Sequence, residues 1–180
     1  MDKTYKTAVV IIPPEQVWEP IQKIRAGHDR AYRRWMPHIT LLYPFKPERE
    51  FSRFADRLAD AVQEFRPIDV SLEKFDYFRH RADTFTIWLR PEPSHLLSEL
   101  QARLWKAVPE CDDTRKFKGG FNPHLSVGQV KGRDRLQKLL ARLQEEWQPI
   151  HFTVDGVALI WRNDPPDDVF RVAQVVRFGE

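Results

Sequence analysis

The chain has 180 residues, 42% of them hydrophobic and 12% aromatic, so it can bury a substantial core and is not expected to be disordered. Its formal charge is only +3, which excludes a polycation that coats nucleic acid but allows an anionic ligand. The single cysteine, Cys111, excludes an intrachain disulfide and a cysteine-based zinc ribbon, and it favours a reducing, cytoplasmic setting.

The first half of the chain alternates apolar runs with segments of helical periodicity. The predicted elements are, in order, a strand over 8–12, a helix over 17–27, a strand over 38–43, a helix over 51–65 and a strand over 68–78. The first apolar run is far shorter than a signal sequence or a membrane span. We therefore expect a soluble protein with no membrane partner.

The second half repeats the same order of elements. It predicts a strand over 85–89, a helix over 94–108, a strand over 124–130, a helix over 136–147, a strand-like segment over 150–161 and a closing strand over 170–178. Pro91 and Pro93 are expected to end the first of these strands, and Ser94 is expected to cap the following helix. We predict one bilobal domain over 1–180, with pseudo-repeats at approximately 5–80 and 84–178.

A short motif occurs once in each half, as PHITL at 37–41 and as PHLSV at 123–127. Side chains two residues apart on a strand point the same way, so His38 shares a face with Thr40, and His124 shares one with Ser126. If the halves pack about a pseudo-twofold axis, the two motif strands line one cleft. Each motif then contributes an imidazole and a hydroxyl to that cleft.

Two facing imidazoles suit general acid and base catalysis, because one can be neutral while the other is protonated near neutral pH. The hydroxyls are good donors to anionic oxygens, so a phosphate group is the natural ligand of the set. A lone histidine in an apolar strand is more often structural than catalytic, but the repeated context favours a function. The remaining histidines, which receive no role, are His28, His80, His95 and His151.

Residues flanking the motifs supply further candidates for substrate binding. Tyr43 and Trp161 either stack on a base or pack in the core, and Arg162 is a candidate for anion contact. Basic clusters at 30–34 and 115–118 adjoin the two motifs, and each is either a solvated surface or part of an anion site. In the second cluster, Lys118 is the candidate to contact a longer RNA or to gate the cleft.

The segments PHITLLYPF at 37–45 and FNPHLSVGQV at 121–130 resemble the two signatures of the 2H phosphoesterase superfamily, which includes the 2',5' RNA ligase and cyclic phosphodiesterase group. The segment at 158–179 is similar to the closing hairpin of that group. The resemblance implies an α+β bilobal fold in which two antiparallel-rich sheets flank a central cleft and the helices lie outside. It also implies His38 and His124 as the acid and base, Thr40 and Ser126 as phosphate ligands, and no metal or cofactor.

The implied reaction is hydrolysis of a 2',3'-cyclic phosphate or a 2',5'-phosphodiester in RNA ends or nucleotides, with reversible ligation as an option and RNA processing as the context. We expect a monomer that binds RNA or a nucleotide. For hydrolysis, His124 is favoured as the base for water and His38 as the acid for the leaving 2' oxygen, with the reverse left open.

Two alternatives remain at this point. A non-catalytic module could bind a nucleotide or an RNA end in the same cleft, because donors that stabilise a transition state also hold a ground-state phosphate. The histidines could instead be zinc ligands, but two imidazoles without a third protein ligand are too few for a typical site.

Overall fold

The computed structural model describes residues 2–117 and 119–179. Eight strands and four α-helices form within these residues. In chain order they are β1 (Thr7–Ile11), α1 (Trp18–His28), β2 (Ile39–Leu42), α2 (Phe51–Val62), β3 (Ile68–Arg79), β4 (Thr84–Glu92), α3 (Ser94–Ala107), β5 (Leu125–Lys131), α4 (Arg133–Glu146), β6 (Ile150–Val154), β7 (Gly156–Trp161) and β8 (Arg171–Arg177). The predicted order of helices and strands is confirmed, except that the segment 150–161 forms two strands instead of one.

The strands form two four-stranded antiparallel sheets, as expected for the predicted α+β class. The first sheet has the order β2-β1-β7-β8 and the second has the order β5-β4-β3-β6. The motif strands β2 and β5 are therefore edge strands of different sheets, and they contact each other. We call the space between these two edges the cleft.

The two sheets do not coincide with the pseudo-repeats in the sequence. Strand β3 belongs to the first repeat, but it pairs with β4 through a short turn and lies in the second sheet. Strands β7 and β8 come from the second repeat and complete the first sheet. Each sheet thus contains strands from both halves of the chain. The hairpin between β3 and β4 places a strand of the first repeat in the second sheet, and the pairing of β7 with β1 places strands of the second repeat in the first sheet.

The segment 150–161, predicted as one strand, is divided at Asp155. Before this residue β6 pairs with β3 of the second sheet, and after it β7 pairs with β1 of the first. A Cβ on Gly156 would lie 2.5 Å from the carbonyl oxygen of Val176, so only glycine allows this approach of the backbones. The chain crosses between the sheets at this point.

The first sheet is covered on both faces. Val9 and Ile11 of β1 face the main hydrophobic core, which extends through both sheets and the inner faces of the helices. Ala8 and Val10 face a smaller cluster that includes Phe170 and has Trp35, Met36 and Tyr43 packed against it. This small cluster lies on the side of β1 that faces the start of the first motif.

Two local expectations around the second sheet are wrong. Strand β4 continues through Pro91, which pairs with Leu72 beside an irregularity in the ladder where a proline is tolerated. Ser94 is the first residue of α3 and makes no side-chain cap. The carboxylate of Glu92 accepts a hydrogen bond from the Ser94 N–H at 2.8 Å instead.

The helices of residues 2–117 and 119–179 do not include one with the length and hydropathy needed to cross a bilayer.

Candidate active site

Each motif histidine lies one residue before an edge strand, His38 before β2 and His124 before β5. The predicted alternation is present in both motifs. The apolar motif residues are fully buried, namely Ile39, Leu41, Leu125 and Val127. The histidines are only half-buried, as are Thr40 and Ser126, so all four polar side chains occupy the opposite, more accessible face.

Both imidazoles are held by the same hydrogen bond. His38 Nδ1 lies 2.7 Å from the carbonyl oxygen of Met36, and His124 Nδ1 lies 2.8 Å from that of Asn122. Because a carbonyl oxygen only accepts, each Nδ1 must carry its proton and donate. The Nε2 atom is thus the proton-exchanging position of each ring: it accepts a proton when the ring is neutral and donates one when the ring is charged.

The ring of His38 lies flat on an aromatic side chain. Trp35 stacks on it with a centroid separation of 4.5 Å and an interplanar angle of 18°. Trp35 also contacts Phe170, whose ring centroid is 3.8 Å from that of Trp35. The guanidinium carbon of Arg162 lies 5.6 Å from the Phe170 ring. His38 is therefore the last member of a stack that begins at Arg162.

The ring of His124 has edge-on neighbours instead. Phe78 meets it at a centroid separation of 4.9 Å and an angle of 89°, and Trp88 meets it at 5.9 Å and 62°. Phe78 and Trp88 stack on one another at 4.8 Å. These two residues belong to adjacent strands of the second sheet, so the sheet itself supports the second imidazole.

Burial lowers the pKa of both histidines. It brings the pKa of His38 down to about 4, opposed by the hydrogen bond to Met36 and assisted by the charges of Arg25 and His124. Burial also lowers the pKa of His124 below its usual value, opposed by the hydrogen bond to Asn122. The contact between the edge strands β2 and β5 brings the two motifs close to each other. The lowered pKa values favour the neutral form of each ring near neutral pH.

The hydroxyls of the motifs are available to a ligand. In the described part of the chain, neither Thr40 nor Ser126 uses its hydroxyl in a hydrogen bond to another protein group. The strand alternation points both toward the side of the sheet that carries the histidines. The structure places the two motifs on contacting edge strands, each with its imidazole and hydroxyl on the more accessible face. A shared site of these four residues stays a prediction.

The flanking candidates separate into two groups. Tyr43 is half-buried beside Trp35, and its hydroxyl donates to the carbonyl oxygen of Tyr5 at 3.2 Å. Arg162 directly follows β7, its guanidinium lies over the Phe170 ring of the small cluster, and its Nε is buried without an acceptor among residues 2–117 and 119–179. An unpartnered guanidinium nitrogen is costly to bury, which keeps anion binding by Arg162 as a prediction.

Trp161 does not face the cleft. Alternation along β7 directs Trp161 toward the main core, whereas Ile160 faces the small cluster. Its ring also lies 5.9 Å from the guanidinium carbon of Arg171, which belongs to β8 at the edge of the first sheet opposite to β2. These contacts favour core packing of Trp161, and base stacking by Trp161 stays a prediction. Lys118 lies outside the described residues.

The basic clusters are largely engaged within the protein. Arg33 and Arg34 both bind the carboxylate of Asp168, which is 1% exposed. Arg115 donates to the side chain of Gln101 at 2.9 Å, and Lys116 pairs with an aspartate four residues earlier. These contacts tie loops to the fold, so the two clusters are weaker evidence for an anion site than the sequence indicated.

Three aromatic side chains that support the imidazoles were missed in the sequence. Trp35 lies three residues before His38, which is a local signal that aromatic support could be present. Phe78 and Trp88 are distant from the second motif, and only the pairing of β3 with β4 and of β4 with β5 brings them to His124. No short-range pattern could identify them.

A separate groove of about 810 Å³ lies on the second sheet, and His95 and His151 line it. None of the four motif residues belongs to it. Within residues 2–117 and 119–179, no group of three or more His, Cys, Asp or Glu side chains is placed to hold a metal ion, in this groove or in the cleft.

Residues 13–166 match the family described as the 2'-5' RNA ligase superfamily. A protein of Geobacillus kaustophilus, named "Putative phosphoesterase GK0864", is 28% identical over 160 residues, which cover 87% of this chain and 88% of the relative. A phosphoesterase-named protein of Halalkalibacterium halodurans is 26% identical over 161 residues, with the same coverage of each chain.

Solved structures share the fold. The protein TT0787 of Thermus thermophilus has a TM-score of 0.65 and 20% identity, covering 97% of this chain and 99% of its own. Escherichia coli LigT, in a crystal structure with 3'-AMP, has a TM-score of 0.57 and 17% identity, covering 97% of this chain and 98% of its own. At these identities the likeness concerns the arrangement of helices and strands alone.

Proposed function

The chain belongs to the 2'-5' RNA ligase superfamily, and from this premise we propose that it is a phosphoesterase acting on nucleotides or RNA ends. The proposed reaction is hydrolysis of a 2',3'-cyclic phosphate or a 2',5'-phosphodiester by two histidines, without a metal. The names of its relatives support a phosphoesterase, and the complex of LigT with 3'-AMP supports a nucleotide as the ligand class.

The matched hydrogen bonds of the two imidazoles carry this proposal. Each Nδ1 donates to the carbonyl oxygen two residues earlier, so each Nε2 is set to exchange a proton. A site that only binds phosphate can use arginine or lysine and does not require two proton-transfer groups. Two histidines with lowered pKa values suit proton transfer better than static anion binding.

For a 2',3'-cyclic phosphate, the chemistry proceeds as follows. A water oxygen attacks phosphorus while a neutral imidazole Nε2 accepts a proton from that water. The bond between phosphorus and the ribose 2' oxygen breaks, and the other imidazole donates its Nε2 proton to this oxygen. The product is a 3'-phosphate with a free 2'-hydroxyl. Each proton transfer contributes about 10²- to 10⁴-fold to the rate.

Thr40 and Ser126 are proposed to bind the non-bridging phosphate oxygens. Their hydroxyls lie on the same strand face as the histidines and have no protein acceptor in the described part of the chain. Donors that are already in place stabilise the charge that develops on these oxygens in the transition state. Arg162 is proposed to contact a further anionic group of the substrate.

The surroundings of the two rings suggest which histidine does what. The charge of Arg25 disfavours protonation of His38, and among the described residues no cation has a comparable influence on the pKa of His124. A base must be neutral and an acid must be protonated before the reaction. We therefore assign the base of the hydrolytic direction to His38 and the acid to His124, the reverse of the assignment that the sequence favoured.

The direct test is a substrate panel of 2',3'-cyclic nucleotides, cyclic-phosphate-ended RNA and 2',5'-linked oligomers, each with and without a chelator. Chromatography and ³¹P NMR identify the product and the bond that is cleaved. The proposal predicts turnover that is unchanged by the chelator. Saturable nucleotide binding with no product after long incubation would instead support the non-catalytic binding module, and turnover abolished by the chelator would contradict the metal-free mechanism.

A further inference from the structure

A buried ion pair lies at the end of α1. Arg25 Nε and Asp29 Oδ2 are 2.8 Å apart, and the two side chains are only 2% and 3% exposed. The other guanidinium nitrogens are also satisfied, because Nη1 donates to Gln22 Oε1 and Nη2 donates to the Trp35 carbonyl oxygen, both at 2.9 Å. Arginine and aspartate are almost never fully buried unless they are paired. Here both side chains are buried, and each guanidinium nitrogen has a hydrogen-bond acceptor.

The aspartate connects the same point to the second motif strand. Asp29 Oδ1 accepts hydrogen bonds from the Ala31 N–H at 2.9 Å and from Gln129 Nε2 at 3.2 Å. Gln129 belongs to β5, and its Oε1 accepts from the Arg30 N–H at 3.1 Å. The end of α1 and the strand that follows His124 are thus joined by hydrogen bonds in both directions.

Close packing supports this junction. A Cβ built on Gly128 would lie 2.6 Å from His28 Cβ and 3.0 Å from the His28 carbonyl oxygen. Only glycine at this position of β5 allows the end of α1 to come so near. The close contact between α1 and β5 therefore depends on the glycine at position 128.

Trp35 connects the ion pair to the chemistry. Its carbonyl oxygen accepts from Arg25 Nη2, and its ring stacks on His38 at 4.5 Å. Removing this donor would take away the side-chain hydrogen bond that holds the Trp35 carbonyl oxygen. A shift of the Trp35 backbone would then change the surface on which the His38 ring stacks.

We propose that Arg25 and Asp29 are positioning residues: their ion pair anchors Trp35 beneath His38 and, through Gln129, fixes the motif strand that follows His124. The inference rests on the proposed function, because it concerns the placement of the two proton-transfer groups. Buried ion pairs are weak stabilisers, since desolvation offsets their attraction. A role in placing the cleft residues explains the pair better than stability does.

The pair also acts on the charge of His38. The ionisable groups that influence this ring are Arg25 and His124, which disfavour its protonation, and Asp29, which favours it. The influence of Arg25 exceeds that of Asp29, so removing both charges raises the pKa of His38. This gives a readout that a purely structural role would not produce.

The test uses the double variant Arg25→Met/Asp29→Asn, which removes both charges and leaves neither one buried without its partner. Imidazole NMR of the full chain measures the shifts and titration of His38 without any substrate. We expect the ring-current shift from Trp35 to be reduced and the His38 titration to move to higher pH. With the best substrate of the panel, we expect kcat to fall by about 10- to 100-fold while KM changes by less than about threefold.

The matched control is Arg103→Met, which removes an exposed arginine paired with Glu64 and should change neither readout. Wild-type His38 signals and wild-type kcat in the folded double variant would overturn the inference. If the double variant does not fold, Arg25→Lys replaces it, because lysine keeps the charge but not the fork that reaches Trp35. This variant should reduce the ring-current shift from Trp35 and lower kcat by a smaller factor, while the His38 titration stays near that of the wild type. A wild-type ring-current shift together with wild-type kcat overturns the inference. If the wild type turns over no substrate, the proposed function fails, while the NMR result still decides this inference.

Discussion

The surroundings of His38 and His124 differ although the two motifs make the same local contacts. Both rings donate from Nδ1 to a carbonyl oxygen two residues earlier. His38, however, stacks face to face on Trp35 within range of the Arg25 charge, whereas His124 meets Phe78 and Trp88 edge-on. The motif thus fixes the orientation of each ring, and tertiary neighbours decide how readily each ring is protonated.

The pseudo-symmetry of the motifs therefore does not extend to the surroundings of the two rings. Two equivalent imidazoles could exchange roles freely, but the unequal charge environment supports the proposal that His38 is neutral and His124 protonated at the start of the reaction. Variants and substrates that treat the two rings differently test this proposal.

Removal of either ring should have the largest effect. His38→Ala and His124→Ala are each expected to lower kcat/KM by about 10²- to 10⁴-fold, because each removes one proton transfer. The double variant should be little worse than the single ones, since the two groups act as a unit. His151→Ala, which changes an exposed histidine of the separate groove, is the control and should retain full activity. A motif variant with full turnover contradicts the mechanism.

A change of leaving group should distinguish the two rings. A nucleoside phosphodiester that releases p-nitrophenolate needs no proton donor for its leaving group. On this substrate, His124→Ala should regain most of the roughly 10²-fold or larger loss, whereas His38→Ala should not. Steady-state rates on the aryl and natural substrates provide the comparison. Rescue of His38→Ala instead would restore the assignment that the sequence favoured.

The hydroxyls should have a smaller and more even effect. Thr40→Val and Ser126→Ala each remove one donor to the phosphate without opening a large cavity. We expect kcat to fall by roughly tenfold to a hundredfold in each, because one transition-state hydrogen bond is lost. Thermal unfolding of the variants is the control for structural damage. A loss confined to KM would show that the hydroxyl binds substrate and transition state equally.

The pH dependence should follow the lowered pKa values. In the proposed mechanism, the active form of the free protein has His38 neutral and His124 protonated. The neutral form of His38 is lost as the pH falls through about 4, and the protonated form of His124 is lost as the pH rises through its lowered pKa. The profile of kcat/KM should therefore be bell-shaped with its maximum below about pH 6.5, the ordinary histidine pKa. A maximum in the alkaline range contradicts the assignment.

The junction between α1 and β5 should respond in stability. Gly128→Ala places a Cβ against His28 and is expected to lower the free energy of unfolding by about 1–3 kcal/mol. Gly27→Ala is the matched control, because Gly27 is helical and a Cβ there meets nothing within 4 Å. This change should raise the free energy of unfolding by about 0.5–1 kcal/mol. Denaturant unfolding of both variants measures the difference.

The sequence predicted the features that depend on local alternation. The period of two placed His38 and Thr40 on one strand face and Ile39 on the buried face, and the order of helices and strands followed from hydrophobic spacing. These features need no knowledge of distant partners. They account for the four motif residues of the candidate site.

The features that were missed depend on contacts between distant segments. The break at Asp155 arises where Gly156 meets the backbone of Val176, and the position of Trp161 follows from which sheet its strand joins. In the sequence, Arg33 and Arg34 indicate an anion site, but in the structure both side chains bind the carboxylate of Asp168. None of these partners can be read from neighbouring residues.

The proposed mechanism requires that the Nε2 atoms of His38 and His124 face one phosphate group. Imidazole NMR during titration with a nucleoside monophosphate measures whether they do. Both rings should respond over the same concentration range and the pKa of each should rise, while His151 does not respond. A response of only one motif histidine, or of neither at saturating nucleotide, would contradict it.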